Sequence, residues 1–268
     1  MKAYVINLDR RPDRLERFRE LADRLGFDFE RIPAVDGNAP ELRERAAGLR
    51  PGWSGPRVGP YVLACFESHR EAWRRLLDSG EPHALILEDD LVLAEDFGDL
   101  VNETVPGGSW LPPDCDILRL ETWNILTHID RRPHGRVHGR GIHRLRGGML
   151  GTAACIVTAR AARFLLRETQ DIRDPVDQVL FNRASPLFPR LVTYQMVPAP
   201  AIQGHLAPPE ATGRWAQSTL HEARAQDGAL PVRPRGVRAS GMWRKAMLVK
   251  SRLKGLAMGT RYMDVPFG

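Results

Sequence analysis

The chain has 268 residues, 43% of them hydrophobic and 27% charged, a composition typical of soluble globular proteins and sufficient for one large α/β domain with an appendage. The formal net charge of +6 is uneven, because nine basic residues and one acid from Ala229 onwards give +8 and leave −2 for residues 1–228. A uniformly basic surface for nucleic acid is therefore not expected. Three widely spaced cysteines without a CxxC pair argue against a disulfide framework or a zinc site and favour a reducing compartment.

A strand, a helix and a second strand follow one another at the start of the chain. Residues 3–8 predict a strand, Pro12 suits the first position of a helix that extends to Leu25, and residues 27–32 predict the next strand. Such a unit favours a parallel sheet with a right-handed crossover. Because the chain enters a strand directly from Met1 and contains no apolar stretch of membrane-spanning length, we expect a cytoplasmic protein without a signal peptide.

Polar side chains gather where these two strands end. Ligands of open α/β sheets bind just beyond the carboxyl ends of the strands. Asn7, Arg10, Arg11 and Asp36 are therefore candidates for binding a nucleotide base and ribose. For the two arginines, the alternative is a solvated first turn of helix.

A loop and a helix precede the next strand. Residues 38–59 contain several prolines and glycines without a clear period, which predicts a loop or a short irregular helical insert. The apolar stripe over residues 61–77 predicts a helix, and Ser68 and His69 lie inside it. A single histidine in a helix is more often a structural residue than a ligand, so the pattern alone assigns it no role.

The most informative stretch is an apolar run that ends in three acids. Residues 83–87 predict a strand buried on both faces of a parallel sheet, and Glu88, Asp89 and Asp90 follow it. Adjacent carboxylates repel one another and are costly to dehydrate unless a cation neutralises them. Mg²⁺ or Mn²⁺ carrying a phosphate group suits such a cluster. The alternative is a solvated turn.

A polar, basic region follows a further predicted strand at residues 114–120. Residues 121–146 contain four histidines among six arginines, but the irregular histidine spacing matches no recognised metal-ligand set. We therefore favour a mobile basic loop over the active site, which could close over an anionic donor or contact a phosphorylated acceptor.

Asp177 is the candidate catalytic carboxylate. The small residues 147–154 lead into a strand and a helix over residues 159–169, and Asp174-Pro175 then marks the start of another helix. Asp177 falls in its first turn, where a carboxylate is either a helix cap or a general base for an acceptor hydroxyl.

The C-terminal part differs in composition from the rest. Residues 191–197 predict a late strand, which His205 follows, and residues 208–234 read as a linker rich in Ala, Arg, Pro and Gly. Met242–Met258 predicts a basic amphipathic helix, which favours contact with an anionic membrane surface. The alternatives are a helix docked on the body and a disordered tail.

Together these motifs resemble glycosyltransferase family 25, the bacterial lipooligosaccharide-type transferases related to the collagen galactosyltransferases. The resemblance covers about residues 3–205 and rests on blocks in the order Tyr4–Arg14, Ala34–Gly37, Cys65-x-x-Ser68-His69 with Ala84–Asp90, Gly151-Thr152, and Asp174–Gln178. Each block alone is a weak signal, whereas five in the same order are a strong one.

This resemblance implies a GT-A-like, Rossmann-like α/β fold over residues 1–207, a mixed sheet flanked by helices, with residues 208–268 as linker and basic extension. It implies an inverting, metal-dependent transferase that moves a sugar, commonly galactose, from a UDP-sugar to a cell-surface glycan or lipooligosaccharide. The implied metal ligands are Glu88, Asp89, Asp90 and His205, the implied base is Asp177, and the implied donor contacts are Asn7, Arg10, Arg11, Asp36, Ser68 and His69.

Two departures from the family pattern keep other functions open. Tyr61-Val62-Leu63-Ala64 replaces a common Gly-Glu-x-Gly ahead of the cysteine, and Cys155 stands where an aromatic residue is usual. The alternatives are a catalytically inactive nucleotide-sugar-binding protein and a metal-dependent nucleotidyltransferase, which would also use metal-bound carboxylates.

Overall fold

The computed structural model describes residues 1–103, 110–216 and 259–268. Its strands are β1 (Ala3–Asn7), β2 (Glu30–Pro33), β3 (His83–Glu88), β4 (Leu91–Leu93), β5 (Ile117–Arg119), β6 (Glu121–Thr122), β7 (Leu126–Asp130), β8 (Gly135–Val137), β9 (Arg140–Arg144), β10 (Ala154–Thr158), β11 (Thr193–Val197), β12 (Ala201–Gln203) and β13 (Thr260–Asp264). Its α-helices are α1 (Pro12–Leu25), α2 (Pro40–Gly48), α3 (Pro60–Ser79), α4 (Phe97–Asn102), α5 (Ala159–Glu168) and α6 (Val176–Phe181).

An eight-stranded mixed sheet forms the central layer, in the order β2-β1-β3-β10-β5-β11-β9-β8. Strand β1 is parallel to β2 and β3, so the predicted parallel unit is confirmed. Strand β10 runs antiparallel to both β3 and β5. The carboxyl ends of β1, β2 and β3 therefore meet the beginning of β10 at one edge of the sheet. The order β4-β12-β6 forms a second sheet, and β13 pairs with β7.

Two hydrophobic cores lie on opposite faces of this sheet. Tyr4 and Ile6 pack on the side of α3, whereas Val5 packs on the side of α1 and α4. The same alternation holds in β3, where Ile86 faces the first core and Leu87 the second. Burial on both faces explains why this strand reads as an unbroken apolar run. The predicted α/β class, a mixed sheet flanked by helices, is confirmed.

The expectation of a mobile basic loop over residues 121–146 is wrong. This stretch forms β6 to β9, and β9 pairs with β11 while β8 forms the edge of the large sheet. Its histidines have separate contacts: His134 pairs with Asp130 at 2.9 Å and His138 with Glu103 at 2.7 Å. Charged side chains suit edge strands, where they oppose pairing with other chains. The predicted insert at residues 38–59 contains α2.

The last residues of the chain pack on the body. Strand β13 pairs antiparallel with β7, and Val265 is fully buried. The Thr122 hydroxyl donates to the Val265 carbonyl at 2.6 Å. The predicted helix at Met242–Met258 and all but the first nine residues of the predicted linker lie outside the described residues, so the division at residue 207 stays a prediction. No helix in the described parts of the chain combines the length and apolar character needed to cross a membrane.

Candidate active site

One cleft lies where β1, β2 and β3 end. Residues that follow these strands line it, together with the segment before β10 and the residues after β12. Strand ends of an open α/β sheet are the expected place for a ligand. The cleft brings together eight of the predicted site residues: Arg10, Ser68, His69, Glu88, Asp89, Asp90, Asp177 and His205.

Asp89 is a buried carboxylate with two partners from the first βα unit. Asn7 donates through Nδ2 to Oδ2 at 2.6 Å, and Arg14 donates through Nη1 to Oδ1 at 3.2 Å. Burial raises the pKa of Asp89, and the charge of Arg14 and the Asn7 hydrogen bond act in the opposite direction. Asn7 therefore positions Asp89 from behind the cleft. Sequence reasoning gave Arg14 no role, although it closes the Tyr4–Arg14 block.

Asp90 has a different environment. Asp90 is 4% exposed, and its Oδ1 has no hydrogen-bond partner among the described residues. The Gly204 amide donates to the Asp90 carbonyl at 2.7 Å, which fixes the backbone of Asp90 beside the segment that carries His205. Burial, together with the charges of Glu88 and Asp89, raises the pKa of Asp90 to about 7. A buried carboxylate oxygen without a donor fits a hard divalent cation.

Glu88 turns towards α3. Its Oε1 lies 3.2 Å from Nε2 of His69, and the Thr152 hydroxyl lies 3.3 Å from the same nitrogen. Ligand atoms of Cys65, His69 and Glu88 all lie within 4.8 Å of one another, and the described residues contain no other such group of three. Of the predicted metal ligands, only Glu88 belongs to this group. Joint ligation by Glu88, Asp89, Asp90 and His205 stays a prediction.

Of the six predicted donor-binding residues, Asn7 contacts Asp89 and His69 contacts Glu88, and the other four fall into three groups. Arg10 lines the cleft and pairs with Asp36 at 2.9 Å, so these two residues are brought together. Arg11 pairs with the exposed Asp13 at 2.8 Å and does not line the cleft. Ser68 accepts from the Val35 amide at 2.9 Å and donates to the carbonyl one turn earlier in α3, which fixes the cleft wall.

Asp177 lies in the first turn of α6, as predicted, and faces the cleft. Its Oδ1 accepts from the Gln178 amide at 2.9 Å, and its Oδ2 accepts from the Gly151 amide at 3.4 Å. The carboxylate is half-buried. Asp177 therefore both contacts its own helix and reaches the cleft, so the geometry fits a helix cap and a general base equally.

Sequence reasoning missed Glu121 and Trp123. Glu121 is fully buried, accepts from the Ala153 amide at 2.7 Å, and lies 3.7 Å from Arg119. Burial raises the pKa of Glu121 to about 8. Trp123 lines the cleft and packs edge-on against His205, with ring centroids 5.6 Å apart. A carboxylate just after a buried strand was the available signal, the same one that identified Glu88.

The family model and the sequence relatives agree on one family. The family model described as glycosyltransferase family 25 (LPS biosynthesis protein) matches residues 1–180. The chain is 30% identical over 194 residues to the lacto-N-neotetraose biosynthesis glycosyltransferase LgtB of Neisseria meningitidis serogroup B, a match that covers 68% of each chain. It is 35% identical over 95 residues to a glycosyltransferase 25 family member of Drosophila pseudoobscura pseudoobscura, covering 33% of this chain and 15% of that one. A solved glycosyltransferase involved in glycosylation of the PBCV-1 major capsid aligns with a TM-score of 0.40 and 9% identity, over 76% of this chain and 92% of that chain.

Proposed function

This chain belongs to glycosyltransferase family 25, and we propose that it transfers galactose from UDP-galactose to a cell-surface glycan or lipooligosaccharide acceptor, on a GT-A-like fold and with inversion. The observation that carries this proposal is the buried Oδ1 of Asp90, which has no hydrogen-bond partner among the described residues and belongs to a residue that lines the cleft. The Neisseria relative is named for the biosynthesis of lacto-N-neotetraose, which supports an oligosaccharide acceptor.

The proposed cation is Mn²⁺ or Mg²⁺, held by Asp90 with Glu88, Asp89 and His205. Oxygen ligands suit these hard ions, and Mg²⁺ and Mn²⁺ sites commonly combine one or two carboxylates with substrate phosphates. When bound, the cation acts as a Lewis acid that offsets negative charge on the departing diphosphate. Arg14 and Asn7 orient the Asp89 carboxylate by their hydrogen bonds, so its position does not depend on the cation alone.

The proposed donor contacts lie on the β1 and β2 side of the cleft. Arg10 carries a positive charge in the same cleft as the acids and pairs with Asp36. An arginine in this position can bind a phosphate oxygen, while a carboxylate such as Asp36 can accept from a ribose hydroxyl. Both side chains are partly exposed, at 41% and 35%, and are therefore accessible to a ligand.

Asp177 is the proposed general base. Direct displacement at the anomeric carbon requires one group that takes the proton of the acceptor hydroxyl as the new bond forms. The Gly151 and Gln178 amides hold the Asp177 carboxylate at the cleft. We expect Asp177→Asn to bind donor as the wild type does and to lose transfer. Asp171→Asn is the matched control, because that carboxylate is 59% exposed and pairs only with the neighbouring Arg173 among the contacts described. Retained transfer in Asp177→Asn would contradict the general-base role and return Asp177 to a capping role in α6.

A thermal-shift panel of nucleotide sugars, with and without Mn²⁺, tests the donor. A ligand that binds only the folded protein contributes about 2.7 kcal/mol at a hundredfold excess over its Kd. We expect the largest rise in Tm with UDP-galactose and Mn²⁺ together, and release of UDP when acceptor is added. Pyrophosphate release from nucleoside triphosphates would instead indicate a nucleotidyltransferase. Binding of UDP-galactose without UDP release for any acceptor would indicate an inactive binding protein.

The proposed location is the cytoplasm, with peripheral association at the inner face of the membrane. This part rests on the sequence of Met242–Met258, whose basic residues would approach anionic headgroups. No nucleic-acid partner is proposed, since the net positive charge is concentrated in the C-terminal forty residues.

A further inference from the structure

A thiol, an imidazole and a carboxylate converge beside the acids. Cys65 and His69 lie four residues apart in α3, so they share one face of the helix. Glu88 ends β3 and approaches that face. All three line the cleft, and their ligand atoms lie within 4.8 Å of one another.

We propose that Cys65, His69 and Glu88 form a second cation site, selective for a soft divalent ion of the Zn²⁺ class. The donor atoms carry the selectivity, because thiolate and imidazole favour Zn²⁺ whereas carboxylate, carbonyl and water oxygens favour Mg²⁺ and Mn²⁺. The site shares Glu88 with the hard-cation site proposed at Asp90 and differs from it in the thiol and the imidazole. The proposal does not depend on sugar transfer.

The distance between two of the three ligand atoms already matches zinc geometry. Bond lengths of about 2.3 Å to sulfur and about 2.0–2.2 Å to nitrogen and oxygen place the ligand atoms of a tetrahedral site roughly 3.3–3.6 Å apart. The His69 Nε2 and Glu88 Oε1 atoms are already 3.2 Å apart. The ligand atom of Cys65 lies within 4.8 Å of those of His69 and Glu88, so the half-buried thiol is the group that would move to complete the triangle.

Three protein ligands leave the fourth position open. Since all three side chains line the cleft, that position faces it. An open fourth position is the arrangement of zinc sites that bind a water or a substrate group, in contrast to closed structural sites. Thr152, whose hydroxyl lies 3.3 Å from His69 Nε2, would remain next to the bound ion as a hydrogen-bonding group.

The other cysteines provide an internal comparison. Cys115 and Cys155 are 3% and 4% exposed, and neither belongs to a three-ligand group in the described part of the chain. Burial raises the pKa of the Cys115 thiol to about 12 and raises that of Cys155 as well, which opposes the thiolate form that metals bind. Cobalt bound through sulfur would therefore report Cys65.

Titration of the full chain with Co²⁺ tests the proposal, with the thiolate-to-cobalt charge-transfer absorption as the readout. We expect the band to saturate at one Co²⁺ per chain, to be abolished by Zn²⁺ and to persist in excess Mg²⁺. It should be lost in Cys65→Ser, retained in Cys115→Ser, and shifted to at least tenfold higher Co²⁺ concentration in His69→Gln. Circular dichroism of each variant establishes that it is folded.

Three results would overturn the site. One is the absence of a band in the wild-type chain, which requires no variant to fold. Another is a band of unchanged intensity in folded Cys65→Ser. The third concerns Asp90→Asn, which should retain the band; its loss there would mean that the two cation sites are one. None of these measurements uses sugar transfer, so failure of the proposed function would leave them readable.

Discussion

Replacement of Arg14 by Met should destabilise the fold strongly at neutral pH. Arg14 and Asp89 form an ion pair at 3.2 Å, with side chains 4% and 9% exposed. Removal of one partner from a buried pair leaves the other charge uncompensated, which typically costs about 3–5 kcal/mol. Asn7 continues to donate to Asp89 in the variant, so the lower part of that range is expected.

The loss should depend on pH in a defined direction. The pKa of Asp89 is already raised by burial, and Arg14 opposes that rise, so the variant raises it further. A carboxyl whose folded pKa lies above its unfolded value stabilises the fold at low pH, and this contribution is lost as pH rises through the folded pKa. The difference between variant and wild type should therefore be larger at pH 8 than at pH 5.

Urea denaturation followed by tryptophan fluorescence measures this difference. Asp89→Asn in the Arg14→Met background should recover part of the lost free energy of unfolding, because it removes the buried charge. Arg24→Met is the matched control on the same helix, since Arg24 and its partner Glu95 are 54% and 81% exposed, and no measurable loss is expected there. A loss for Arg14→Met no larger than that for Arg24→Met, or one independent of pH, would refute the reasoning.

Three further predictions concern residues around the cleft. Gly151→Ala should lower the free energy of unfolding by more than the roughly 1–2 kcal/mol that a left-handed backbone costs, because φ is +81° and the added Cβ would lie 2.0 Å from Trp123 Nε1. Thermal denaturation measures the loss, and an unchanged Tm would contradict this prediction. The pKa of Glu121 in the folded protein, about 8, lies above the model-peptide value of 4.5, so wild-type stability should fall as the pH rises between these two values. Denaturant titrations should show a smaller fall in Glu121→Gln. Parallel curves of stability against pH for the two proteins would count against this prediction. Gly52→Ala should displace the Asp174 carboxylate, which lies 2.2 Å from the added Cβ and accepts from the Ser54 amide. The expected loss in the free energy of unfolding, measured by urea denaturation, is about 1–3 kcal/mol. A smaller loss would show that the loop adapts.

Local patterns predicted the elements whose buried residues form an unbroken run or recur at a regular period. The apolar run of β3, the helix α3 and the β1-α1-β2 unit could be read directly, because their periodicity follows from burial. The start of β2 could not be read. Phe27 packs on Phe97, with ring centroids 5.5 Å apart, from a loop that precedes the strand at Glu30. An apolar residue next to a strand was therefore taken as part of it.

The error over residues 121–146 has a different physical origin. Strand β8 forms the edge of the sheet, where charge is tolerated, and β9 beside it also carries arginines, so both resemble a polar loop in composition. Arg140 shows what composition hides, since it is buried in β9 and pairs with Asp96 from a distant part of the chain. Long-range partners of this kind compensate a buried charge, and no local pattern shows them.

The candidate site was predictable in its location and not in its internal contacts. The strand rule placed the acids at a cleft, and the structure brings them there with Arg10, Asp177 and His205. Adjacent carboxylates nevertheless have different partners, because successive residues beyond a strand point in different directions. Asp89 turns to the first βα unit and Glu88 to His69, pairings that depend on how α1 and α3 pack on the sheet.

Replacement of Asp90 by Asn tests the central claim most directly. The change keeps the side-chain shape and removes the charge at the buried oxygen that lacks a partner among the described residues. Calorimetry with UDP in Mn²⁺, together with UDP release from UDP-galactose and acceptor, should show weakened binding and no transfer. Turnover equal to that of the wild type would contradict the proposal that this carboxylate holds the cation for the donor diphosphate.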